Sequence, residues 1–309
     1  MRASWWRGFV VSMVLVPVVG CASPGADGGS AERDPAPSEN VPGSADVSLD
    51  LSAEFEALEE EFDARLGVYA RDTGSDGEVA FQEDERFAFA STFKALLAGV
   101  VLSEHSPEEM ERVVDFDEGV LVPHSPVAEE NTDTGMSLTE LCDAAVRYSD
   151  NAATNVLLDE IGGPEGFTEK LEELTGDEVT RLDRYEVEMS EGVPGDERDT
   201  STAEALTGSL EAFVVGDALP EGQREVLVDL MVRNTTGDDL IRAGVPEGWD
   251  VGDKTGMGGY GTRNDIGVVW PDEGEPIVLA VMSSRDDEGA ETDDALIAEA
   301  TEVVMEALG

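Results

Sequence analysis

A chain of 309 residues with 70 Asp and Glu against 19 Lys and Arg carries a formal charge of −51. It is long enough for one large domain or two ordinary ones with a proper core. A surface this negative repels phosphates and anionic headgroups, which excludes nucleic acid as a partner and a basic patch as a means of membrane attachment.

The N-terminus reads as an export signal. Arg2 and Arg7 form a positive segment ahead of an apolar run, residues 9–19, that is too short to span a bilayer. Val18-Val19-Gly20-Cys21 resembles a bacterial lipobox, in which cleavage leaves the cysteine, here Cys21, as a lipidated N-terminus. That resemblance implies a secreted protein whose only membrane contact is a lipid anchor on the outer face of the cell membrane. A conventional signal peptide cut in the Ala22-Ser23 region is the alternative. Residues 22–48 hold four prolines, many small and acidic residues and no aromatic, a composition that cannot bury a core. Residues 1–20 are therefore expected to be a signal peptide and 21–48 a lipidated cysteine and tether, with folding from about Ser48.

From Ser52, the apolar residues Phe55, Leu58, Phe62 and Leu66 follow helical spacing. Strand-like runs at 66–70 and 78–81 flank Asp72-Thr73-Gly74-Ser75-Asp76-Gly77, a hairpin signal. Helical patterns then dominate, over 92–103, 138–148, 152–161, 164–174, 202–213 and 221–233, punctuated by proline and glycine. Cys142 lies in one of these apolar stretches and reads as a small core residue; with Cys21 lipidated it has no disulfide partner. Strands return at 249–252, 263–270 and 277–283, and an amphipathic helix covers 293–308. The fold class is α/β plus all-α. An antiparallel sheet with flanking helices is built from both chain ends (49–86 and 234–309), with a helical insertion between them (87–233). A site belongs where these parts meet.

Lysine is the informative scarcity. Only Lys94, Lys170 and Lys254 occur; the remaining basic residues are arginines. An acidic, lysine-poor surface suits solubility in high salt, and a GC-rich genome is a second source of the same bias. Two of the three lysines fall in short motifs. In Ser91-Thr92-Phe93-Lys94, a helix start would place the hydroxyl above the helix dipole with the amine one turn away, which favours a developing alkoxide. Alone, the same four residues also describe a helix cap with an exposed lysine. In Lys254-Thr255-Gly256 a cation, a hydroxyl and a glycine that lets backbone approach suit a substrate carboxylate lying along a strand. Ser149-Asp150-Asn151, between two helical segments, reads singly as a helix cap. Two histidines, His105 and His124, leave little material for a metal site, and neither adjoins a Ser or Cys nucleophile motif.

Taken together, these three motifs resemble, in identity, order and spacing, those of serine β-lactamases and penicillin-binding enzymes. Arg184-Tyr185-Glu186 through Asp199-Thr200 resembles the Ω-loop of class A β-lactamases, spanning about 181–199. Ser125-Pro126-Val127, the segment from Gly135 to Cys142, Asn234-Thr235-Thr236-Gly237-Asp238 and the segment from Gly258 to Asp265 are similar to that class as well. The similarity covers about residues 50–309. It implies that Ser91 opens the β-lactam ring, with an oxyanion hole at the N–H groups of Ser91 and Met257. Either Lys94 or Glu186 acting through water would deprotonate Ser91, and Ser149 would pass a proton to the leaving nitrogen. Asn151 would bind the substrate's side-chain amide, and Lys254, Thr255, Gly256 and Arg263 would lie along its carboxylate. Glu186 would activate the deacylating water, and Arg184 and Asp199 would pin the loop. The resemblance implies no cofactor and no metal, and a monomer acting on a small-molecule β-lactam.

Three residues depart from the class pattern. Val187 follows Glu186 where many members have a cis proline, Ser190 replaces an asparagine, and His124 replaces an aromatic at the gate. The alternatives are a penicillin-binding D,D-peptidase, which lacks the deacylating glutamate, and a sensor lipoprotein that binds penicillin without hydrolysing it.

Overall fold

The computed structural model describes residues 51–309; the segments expected to be a signal peptide (1–20) and a lipidated cysteine, Cys21, with its tether (21–48) lie outside the described residues. Helix α1 (Ser52–Phe62) buries Phe55 and Leu58, and Asp63 ends it in the left-handed conformation. Leu66, in line with the helical spacing, belongs instead to strand β1 (Arg65–Asp72), because the chain reverses at that cap. A hairpin leads to β2 (Glu78–Phe81). The short strand β3 (Phe87–Ala88) precedes a single 3-10 turn, Ala90–Thr92, and helix α2 (Phe93–Glu104).

Every residue of α2 from Phe93 to Leu102 is buried. A helix apolar on all sides belongs in the middle of a domain, and α2 is surrounded by the other helices. Strands β4 (Val113–Val114) and β5 (Met136–Ser137) pair and set the entry to α3 (Leu138–Arg147). Ser137 and Glu140 form a capping box at that entry. Then come α4 (Asn151–Glu160), α5 (Gly163–Thr175), β6 (Thr200–Ser201), α6 (Ala203–Val214) and α7 (Glu221–Val232). The last part holds α8 (Ile241–Gly244), β7 (Asp250–Met257), β8 (Arg263–Trp270), β9 (Ile277–Ser284) and α9 (Asp294–Leu308).

The main sheet is antiparallel in the order β2-β1-β9-β8-β7, so both ends of the chain build it. Its two faces bury separate apolar clusters, as the alternation of strand side chains requires. Val278, Ala280 and Met282 of β9 pack with α2 and its helical neighbours. Ile277, Leu279 and Val281 pack with α1 and α9 on the other face. The sequence places β7 at 249–252, but the strand runs on to Met257. Residues Asp253 to Gly256 are polar or small, yet they hydrogen-bond along β8 in register, so Lys254-Thr255-Gly256 lies within the strand and not after it.

Candidate active site

The residues singled out from the sequence converge at the end of β7, beside the turn that carries Ser91. They line a cavity of about 390 Å³ formed by Ser91, His124, Ser149, Asn151, Glu186, Val187, Ser190, Thr236, Thr255, Met257 and Arg263. Lys94 and Lys254 sit beneath it, fully buried. Gly256 explains the closeness of the two segments. A Cβ there would stand 2.8 Å from the Phe89 carbonyl oxygen and 3.0 Å from Thr92 Cγ2, so only glycine lets β7 approach the turn bearing the serine.

Ser91 Oγ donates to Glu186 Oε1 at 3.3 Å. Lys94 lies one turn along, at the start of α2, and its Nζ is 2.9 Å from that same carboxylate oxygen. Lys94 Nζ also donates to Asn151 Oδ1 at 2.5 Å and to the Ser149 carbonyl at 3.0 Å. The recorded bond of the serine hydroxyl therefore goes to Glu186, and Lys94 braces the carboxylate. Burial pushes the Lys94 amine down from the usual lysine range, against the opposing pull of Glu186.

Ser149 Oγ stands between the two amines, 3.4 Å from Lys94 Nζ and 3.3 Å from Lys254 Nζ. Its φ of 56° is left-handed and turns the chain between α3 and α4. Asp150, read from the sequence as a helix cap, does cap α4 through the Ala153 N–H. Its other oxygen also accepts the Val127 and Ala128 amides, which ties the gate loop to the same corner. His124 is held there by its ring nitrogen Nε2, 3.0 Å from the Tyr148 carbonyl, while its own carbonyl accepts the Asn151 N–H.

Lys254 Nζ donates to the Thr255 carbonyl at 2.8 Å. Burial, and then the charge of Lys94, push its amine down to about 7. Thr255 Oγ1 meets Thr236 Oγ1 at 2.7 Å. Met257 and Arg263 face each other across β7 and β8 at the mouth, and the Arg263 guanidinium is anchored through Nε by Asp294 at 2.5 Å. The cavity thus gathers three basic side chains, Lys94, Lys254 and Arg263, of which Lys94 is paired with Glu186 and Arg263 with Asp294.

The Ω-loop is pinned by Arg184 and Asp199. Buried Asp199 accepts the Asp183 and Arg184 amides through one oxygen and Arg184 Nε at 2.6 Å through the other. The Glu186–Val187 peptide is cis without a proline. Ser190, where the class has asparagine, reaches Glu186 Oε2 through its hydroxyl at 3.3 Å. One residue the sequence reading missed is Asn155, one helical turn after Asn151. Its side chain brackets the Glu186 backbone, Nδ2 donating to the carbonyl at 2.8 Å and Oδ1 accepting the N–H at 2.9 Å. The sequence marks it only by its place one turn from Asn151 on the same face of α4.

Comparison with known proteins agrees with this geometry. A model of the β-lactamase enzyme family matches residues 50–308. A β-lactamase of Bacillus licheniformis is 54% identical over 267 residues, covering 86% of this chain and 87% of its own. A β-lactamase of Amycolatopsis lactamdurans is 53% identical over 271 residues, covering 87% and 89%. Among solved structures, a halotolerant bacterial β-lactamase superposes with a TM-score of 0.81 at 55% identity, over 82% of this chain and 98% of its own. A class A β-lactamase from Clostridium kluyveri gives the same TM-score of 0.81 at 46% identity, over 82% and 97%. The chain belongs to the β-lactamase enzyme family, in its class A.

Proposed function

We propose that the protein hydrolyses the β-lactam ring of penicillin-type antibiotics through an acyl-enzyme on Ser91, so conferring resistance to them. The observation that carries this reading is the position of Glu186, whose carboxylate reaches the nucleophile through one oxygen and Ser190 through the other. A carboxylate so placed serves both half-reactions. It takes the Ser91 proton, directly or through a water, as the hydroxyl attacks the lactam carbonyl. Through its contact with Lys94 it gives that proton up again, replacing the one that the buried amines pass to Ser149. Later it takes a proton from the water that attacks the ester and returns it to Ser91 Oγ as the ester breaks. The oxyanion would be received by the N–H groups of Ser91 and Met257. Ser149, between two amines, would deliver its own proton to the departing nitrogen and be resupplied by Lys94 or Lys254. Lys254, Thr255 and Arg263 would hold the substrate carboxylate, and Asn151 the side-chain amide.

A D,D-peptidase or a sensor stops at the acyl-enzyme, and the Glu186 arrangement argues against both. Purified protein lacking residues 1–48 should turn over a chromogenic cephalosporin many times. Glu186→Gln should acylate more slowly and then hold the ester, so that no more than one equivalent of product is released and mass spectrometry finds the acyl-enzyme; Ser91→Ala should do neither. Unchanged turnover in Glu186→Gln would remove this carboxylate from deacylation.

The same reading includes export and attachment through a lipidated Cys21, supported by the basic start, the apolar run and the lipobox-like Val18-Val19-Gly20-Cys21. Radiolabelled palmitate should enter the wild type and not Cys21→Ala; label in neither would overturn the lipid anchor.

A further inference from the structure

Behind the strand that carries Lys254 lie two ionisable groups that the reaction does not touch. Asp253 of β7 and Asp265 of β8 are both fully buried. The register sets Asp253 opposite Gly267 and Asp265 opposite Thr255, so the two carboxylates are diagonal neighbours on one face of the sheet. Lys254, between Asp253 and Thr255, points to the other face.

Their surroundings are unequal. Asp253 receives Arg242 Nε at 2.6 Å on one oxygen and Asn234 Nδ2 at 2.7 Å on the other. Asp265 receives only the Ile241 N–H, at 3.2 Å on Oδ2. Its Oδ1 is one of two buried side-chain polar atoms among the described residues without a hydrogen-bond partner; the other is Thr262 Oγ1. The charged groups that act on Asp265 are Asp253, Lys254 and Arg263, and those that act on Asp253 are Arg242 and Lys254. Burial pushes both carboxyls up, and the Asp253 charge pushes Asp265 further. A bare carboxylate oxygen in a dry site beside a second carboxylate with both oxygens hydrogen-bonded is the less stable place for charge.

We propose that this pair carries one proton at neutral pH, seated on Asp265, and so presents a single negative charge behind Lys254. Asp265 is then a neutral group behind the strand that carries the substrate-binding amine. The groups that bear on Lys254 are Lys94, which opposes its charge, and Asp253, Asp265 and Glu186, which favour it. With Asp265 neutral, the support from behind the strand comes from Asp253 alone. The proposal rests on the reading of Lys254 as the carboxylate-binding group, but its test reads protonation and not turnover, so the two fail separately.

The scarcity of lysine makes the measurement direct, because lysine labelled with ¹³C at Cε should show resonances only from Lys94, Lys170 and Lys254 in the full chain. Asparagine is a neutral, nearly isosteric stand-in for an aspartic acid. In Asp265→Asn the Lys254 titration should stay within about threefold of the wild-type proton affinity. Removing a real charge should lower it by about tenfold or more, one pH unit, and Glu186→Gln supplies that scale in the same spectra. Infrared difference spectra at pH 7 should show a carboxylic acid carbonyl band in the wild type that Asp265→Asn loses. A fall of one unit in Asp265→Asn overturns the proposal. So does a wild-type spectrum with no acid band, which decides the matter even where the variant does not fold.

Discussion

Asp199→Asn isolates what holds the Ω-loop, and with it Glu186, in place. Asparagine tolerates the left-handed φ of 56° at this position, so the backbone carries no penalty. Its carbonyl oxygen can keep the bonds to the Asp183 and Arg184 amides, now 2.8 and 3.0 Å. What changes is the second oxygen, 2.6 Å from Arg184 Nε, which becomes an amide donor facing another donor. Breaking a buried ion pair from one side costs about 3–5 kcal/mol. Arg184 keeps its contact with Glu191 at the exposed end, so the lower figure, about 3 kcal/mol, applies. For a domain of this size that is a fall in Tm of roughly 6–12 °C, measured by calorimetry at fixed salt. The loop end also moves relative to Ser91, and a displacement of about 1 Å in a catalytic group lowers a rate by about a hundredfold. Stopped-flow mixing with a chromogenic cephalosporin should then show a stoichiometric burst followed by a slow steady state. A Tm within about 1 °C of wild type together with unchanged turnover would refute the assignment of Asp199 as the pin.

Other consequences follow from the same geometry. kcat/KM for a carboxylate-bearing β-lactam should decline above about pH 7, because the Lys254 amine is protonated and attractive below its depressed pKa and neutral above it; a profile flat to pH 9 would contradict this. Gly237→Ala should destabilise by about 1–3 kcal/mol in chemical denaturation, since its Cβ would stand 1.8 Å from Asp253 Oδ2, an oxygen already held by Asn234. Tm should rise steadily from low salt to 1 M KCl, where the screening length falls to about 3 Å and the self-repulsion of −51 charges is relieved. No gain in Tm would assign the acidic composition to something other than surface repulsion.

Much of the site was legible in the chain because its parts are short and their chemistry is local. Ser91 and Lys94 are one turn apart in sequence and remain so in space, and the rarity of lysine separated Lys94 and Lys254 from a solvated background. The helices were legible for a similar reason: a capping residue such as Asp150 acts on an N–H group three positions away. Less visible was the length of β7. Asp253, Lys254 and Thr255 lack the alternation of a strand, and they are held in one by the register with β8, a long-range pairing. Asn155 was missed because its partner is the Glu186 backbone, reached only when the Ω-loop folds over α4.

The sequence by itself determined the chemical inventory: an acidic chain, a serine followed by a lysine, a second lysine after a strand-like run and a glutamate in a loop. It determined these because covalent neighbours and helical periodicity need no tertiary contact. The fold decided which oxygen the nucleophile meets. It brought Glu186 to Ser91 across 95 positions of chain, set Ser149 between two buried amines, and hid Asp253 and Asp265 behind Lys254. Protonation states followed from that burial, since an amine or a carboxyl changes its proton affinity only once water is removed and neighbouring charges are held fixed.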